Sequence, residues 1–110
     1  MKKKTDLTPN QKKLYEKITE EAIVDCNDDE DQIVGWEIVL DENIATPCPC
    51  RIGKQEAVLE KISTDDNAGS VIGIVRLNKT KIRILIQDIF FDDAKAMKYI
   101  NAYKYWCKNG

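Results

Sequence analysis

Asp25, Asp28, Asp29, Glu30 and Asp31 crowd five acids into seven residues, and a second pair, Asp41-Glu42, follows an apolar segment around Gly35-Trp36. Carboxylates at this density suit a hard cation. Ca2+ gathers roughly six to eight oxygen ligands, and a flexible acidic loop supplies them. Asp25, Asn27, Asp29 and Asp31 have the alternate spacing of the first four ligands of an EF-hand loop. The match then stops, because Glu30 stands where the sharp-turn glycine belongs and Trp36 falls where the closing glutamate belongs. Mg2+ fits less well, since it keeps its waters and uses few carboxylates.

The same acids have a plainer explanation. Asn27 or Asp28 can cap a helix, and Asp29 to Asp31 then complement its positive end. That end also repels cations. A helix start needs only one or two acids, so the surplus is left for solvent, a basic partner or an ion. Asp41 and Glu42 form a separate case. If the helix runs over 28–44, they lie about 20 Å from its acidic start at about 1.5 Å per residue, too far for one ion to bridge. The C-terminal end offers a negative dipole and free carbonyls, so Asp41 and Glu42 make either a second cation site or a solvated turn.

Other chemistries find less support. The chain has no histidine, which excludes Ser-His and Cys-His nucleophile pairs. Its glycines, at 35, 53, 69, 73 and 110, are scattered and form no phosphate loop. Paired carboxylates can do acid–base work only within a cleft, and no other sign of an enzyme is present. Cys48-Pro49-Cys50 places one residue between two thiols, closer than a zinc knuckle uses. Lys2 to Lys4 are followed by Thr5-Asp6-Leu7-Thr8-Pro9, not by the apolar core of a signal peptide, so Cys26, Cys48, Cys50 and Cys107 are expected as reduced thiols of a cytoplasmic protein. A net charge of −2 gives no global field for nucleic acid or anionic membrane. No apolar run approaches the ~20 residues of a membrane span.

With 110 residues, 43% hydrophobic and 33% charged, the chain is expected to form one domain. Thr8-Pro9-Asn10-Gln11 predicts a helix start with a capping box, continued by Leu14, Ile18 and Ala22 with Tyr15 beside them. Ile33, Trp36, Leu40 and Ile44 predict the inner stripe of a second helix, although Gly35 costs about 1 kcal/mol in a helix interior and a strand through Trp36 to Leu40 is the alternative. Pro47 and Pro49 end it. Short strands follow: Cys50-Ile52 at an edge, a segment alternating from Ala57 to Ile62, Val71 to Leu77, and a strand presenting Ile82, Ile84 and Ile86. Asp65, Asp66, Asn67 and Gly69 read as a turn, and Asn78-Lys79-Thr80 as a hairpin loop. Asp92-Asp93 opens a last helix with Ala96, Ile100, Tyr103 and Cys107 on one face. The prediction is an α+β fold: a helical part over 8–44, a small antiparallel sheet or partly open barrel over 48–89, and a C-terminal helix over 92–108.

The order "EEAIVDCNDDEDQIVGWEIVLDENIATPCPCRI" resembles the core of the small prokaryotic calcium-binding proteins of the CcbP type. The resemblance is carried by Val24-Asp25, the acids Asp28 to Asp31, Gly35-Trp36, the segment Leu40 to Ile44, and Pro47. It continues through "EAVLEKI", "VIGIVRL", "KIRILIQDI" and "INAYKYW", and so covers roughly residues 14 to 106. It implies a non-enzymatic Ca2+-binding protein with an SH3-like sheet and sites built from acids outside any EF-hand. The family's aromatic positions are Asn27, Glu37-Ile38-Val39 and Cys48 here, departures that leave the acids in place.

Two functions follow. One is a Ca2+ sensor or buffer, with Asp25, Asp28 and Asp29 in one site and Asp41 and Glu42 in another. The other is an ion-free interaction module whose sheet binds a protein partner and whose acids steer basic partners.

Overall fold

The computed structural model describes residues 8–24, 26, 28–65 and 69–109, with the side chains of Asp29 and Asn109 outside the description. The first helix, α1 (Pro9–Ile23), starts as the sequence requires. The Gln11 N–H donates to Thr8 Oγ1 at 3.1 Å and the Thr8 N–H donates to Gln11 Oε1 at 3.0 Å, closing the capping box with Pro9 in the first turn. Its buried face is Tyr15, Ile18 and Ala22. Leu14, expected on the inner stripe, is 37% exposed. Tyr15 takes the inward place, because its ring meets Tyr105 of the last helix at 5.9 Å.

Helix α2 (Asp29–Asn43) buries Ile33, Trp36 and Leu40, with Ile44 at its C-cap. Gly35 is explained by packing. A Cβ placed there would lie 2.0 Å from the Ala22 carbonyl oxygen, so only glycine lets α2 approach α1 this closely. The propensity cost of a mid-helix glycine is therefore offset by helix–helix contact.

The sheet is a four-stranded antiparallel meander, β1 (Cys48–Ile52), β2 (Gln55–Thr64), β3 (Val71–Leu77) and β4 (Thr80–Leu85), in the order β1-β2-β3-β4. Gly53 turns the first hairpin at φ 61, and Asn78 the last at φ 59. That last loop is Asn78-Lys79, one residue shorter than expected, since Thr80 already pairs with Leu77. A bulge between Leu59 and Lys61 interrupts the alternation of β2. One extra residue reverses the parity of the side chains, so Ile62 joins Ala57 and Leu59 in the core. Ile86 leaves the strand and lies in a 3-10 turn (Ile86–Asp88), from which the chain returns to β1 through a bridge between Arg51 and Phe90. The sheet is thus open, with its last segment curled back onto its first strand.

Helix α3 (Ala94–Asn109) is capped by Asp93, whose Oδ2 accepts the Ala96 N–H at 3.0 Å. Ala96, Ile100 and Tyr103 are buried as predicted, and Ala102 with them. Cys107, expected on the same face, is exposed. Helix α2 is central: it contacts α1, α3, β2 and β3. Among the described residues no helix is long and apolar enough to cross a membrane.

Candidate calcium site

Asp28 is the N-cap of α2, and its Oδ1 accepts the Asp31 N–H at 2.9 Å. This is the capping role its residue type favours. Asp29 begins the helix. Asp25, the third acid assigned to this end, lies outside the described residues, as does Asn27. Glu30 and Asp31 are exposed in the first turn.

Asp41 and Glu42 occupy the last turn of α2, both exposed. Here the unsatisfied carbonyls give the helix its negative end. Ile44 N–H returns to the Leu40 carbonyl at 2.9 Å and Asn43 Nδ2 donates to the Val39 carbonyl at 2.8 Å, so part of that end is closed by the chain itself. Among the described residues, neither Asp41 nor Glu42 makes an ion pair. The intervening helix keeps them about 20 Å from Asp28, at about 1.5 Å per residue. The two acidic ends are therefore separate places, and no three acids or thiols among the described residues converge as a metal-holding group.

A third acidic position emerges at the base of the β2–β3 loop, which the sequence marks only as a turn. Asp65 Oδ1 accepts the Gly69 N–H at 2.8 Å, and the Asp65 N–H donates to the Ser70 carbonyl at 3.0 Å. This base is tied to α3 by the Val71 N–H, which donates to the Tyr103 hydroxyl at 3.1 Å. Burial raises the Tyr103 hydroxyl well above the ordinary phenol value, and the nearby Asp65 charge adds to this. Tyr103 in turn packs edge-on against Trp36 at 5.4 Å. The loop and α2 thus meet through one buried tyrosine. The signal in the sequence was the run Asp65-Asp66-Asn67, whose turn chemistry conceals its acidity.

Other charges are neutralised within the fold. Glu60 holds Arg76 at 2.6 Å and Lys81 at 3.3 Å, and Asp92 holds Arg51 at 2.7 Å. Cys26, Cys48, Cys50 and Cys107 form no disulfide. Burial pushes the Cys50 thiol up to about 11, with Cys48 beside it adding to the shift. Burial, then the Asp93 charge, raises Cys48, and burial raises Cys107. A raised thiol is a weaker nucleophile at neutral pH.

The family model for calcium binding of the CcbP type matches residues 16–107. The fold is that of Anabaena CcbP, whose crystal structure matches with a TM-score of 0.74 over 96% of this chain and 95% of that one, at 19% identity. A calcium-binding protein in its calcium-binding form matches with a TM-score of 0.74, covering 94% of this chain and 98% of that one at 20% identity. No curated protein matches at a significant level.

Proposed function

The chain belongs to the CcbP-type calcium-binding family, and from that premise we propose that it works as a non-enzymatic Ca2+ sensor or buffer whose ligands are the carboxylates at the ends of α2. Asp25, Asp28 and Asp29 make up one site and Asp41 and Glu42 belong to a second. The observation that carries this reading is the placement of Asp41 and Glu42 beside the negative end of α2 without an ion-pair partner among the described residues. Helix formation gives no reason for acids there, whereas a cation is attracted by both the carboxylates and the carbonyl ends. At the other end, the dipole opposes a cation and the number of acids favours it. We place the protein in the cytoplasm, a reading supported by four cysteines that form no disulfide.

Calorimetric titration of chelator-treated protein with Ca2+ should show saturable heat. Binding to the folded state alone stabilises it by about 2.7 kcal/mol at a hundredfold excess over Kd, so the melting temperature should rise with Ca2+. Na+ at matched ionic strength only screens and should raise it less. Asp25→Asn with Asp29→Asn should remove the contribution of the first site, and Asp41→Asn with Glu42→Gln that of the second. Equal shifts from Ca2+ and Na+ would sink the proposal.

A further inference from the structure

Between the end of α1 and the outer face of α2 lies an open groove of about 450 Å3. Its walls include Val24, Val34 and Ile38, which are 63%, 42% and 51% exposed. Its rim carries Glu21, Asp31 and Glu42, and among the described residues no lysine or arginine lines it. Asp31 and Glu42 are eleven residues apart, three helical turns, and so lie on one face of α2. The groove exists because Gly35 and Ala22 bring the two helix backbones together and leave no bulk between them.

Helix α2 is apolar on its inner face, where Ile33, Trp36 and Leu40 are buried, and apolar again on its outer face at Val34 and Ile38. A helix apolar on both faces is ordinarily covered on both. Here the outer face has no cover within the described chain. The acidic rim decides what covers it. Three carboxylates would repel an anionic membrane or another acidic surface, and they match lysines or arginines flanking an apolar stripe. A helix lays such a stripe into a groove through residues spaced three and four apart.

We propose that the α1–α2 groove docks a basic amphipathic helix of a partner protein, with its apolar stripe on Val24, Val34 and Ile38 and its cations against Glu21, Asp31 and Glu42. This interaction does not require Ca2+.

The test uses fluorescence anisotropy of a labelled leucine–lysine amphipathic peptide of the length of α2, with the full chain in chelator. Two further peptides serve as controls: one with every lysine replaced by glutamate, and one of the same composition with the stripe scrambled. The amphipathic basic peptide should bind saturably and more weakly as salt increases. Val34→Ser with Ile38→Ser should weaken it about tenfold or more, because two apolar contacts are lost. Both residues are exposed, so the melting temperature should stay close to that of the parent. Asp31→Asn with Glu42→Gln should weaken binding and flatten its salt dependence. Val58→Ser with Leu85→Ser, which alters exposed apolar residues of the sheet, should change nothing. Absence of binding, equal binding of the scrambled or glutamate peptide, or full affinity in the Val34/Ile38 variant overturns the proposal. So does self-association of the parent chain that this variant abolishes, since a second copy would then occupy the groove.

Discussion

The two ends of α2 carry the same acidic side chains on opposite backgrounds. At the N-terminal end Asp28 accepts a backbone N–H and the acids after it face a positive dipole. Folding accounts for the Asp28 cap and for one or two of the acids after it. At the C-terminal end Asp41 and Glu42 face a negative dipole with no cationic partner among the described residues. Each is expected to lower helix stability by a few tenths of a kcal/mol, up to about 1 kcal/mol. The difference teaches that acid density alone is a poor guide to a site. Acids that oppose the local field call for a cause outside the helix, and a bound cation is one.

The largest effect on this comparison comes from removing the anchor that both ends share. Trp36→Ala should destabilise by about 3–5 kcal/mol in urea unfolding, the usual consequence of emptying a large buried aromatic site. An unchanged midpoint would mean that α2 is not held by its inner face. Gly35→Ala should follow, at about 1–3 kcal/mol, because the new Cβ meets a backbone oxygen that cannot swing aside. A neutral result would show that the two helices can separate there without loss.

The ends themselves should then move stability in opposite directions. Asp28→Ala removes the cap and should lower stability by about 1 kcal/mol. Asp41→Asn with Glu42→Gln should raise the calcium-free stability by a few tenths of a kcal/mol, up to about 1 kcal/mol, and reduce the Ca2+-dependent rise in melting temperature. Thermal melts with chelator and with Ca2+ check both signs. The same sign at both ends would break the contrast.

Local signals made most of the fold legible. The Thr8-Pro9-Gln11 cap, the 33-36-40-44 stripe and the order of the strands depend on neighbours in sequence, and the structure keeps them. What could not be read depended on distant partners. Tyr15 displaced Leu14 from the core because α3 offered Tyr105. The bulge after Leu59 moved Ile62 to the core face, and alternation alone carries no mark of it. Gly35 looked like a weakness until Ala22 was placed against it. For the candidate site, the separation of Asp28 from Asp41-Glu42 followed from helix length alone. The link from Asp65 through Tyr103 to Trp36 needed the tertiary fold, since its members lie far apart in the chain.

The aromatic contact between α2 and α3 also gives the molecule a built-in optical probe. Both tryptophans of the chain, Trp36 and Trp106, meet there with their rings 5.9 Å apart, and Tyr103 touches both. All indole emission therefore originates at one junction, beside the tyrosine that anchors the β2–β3 loop. A ligand that shifts α2 against α3 will alter its wavelength or quenching without any attached dye, and a ligand that leaves the spectrum constant binds to a frame that moves as a single piece.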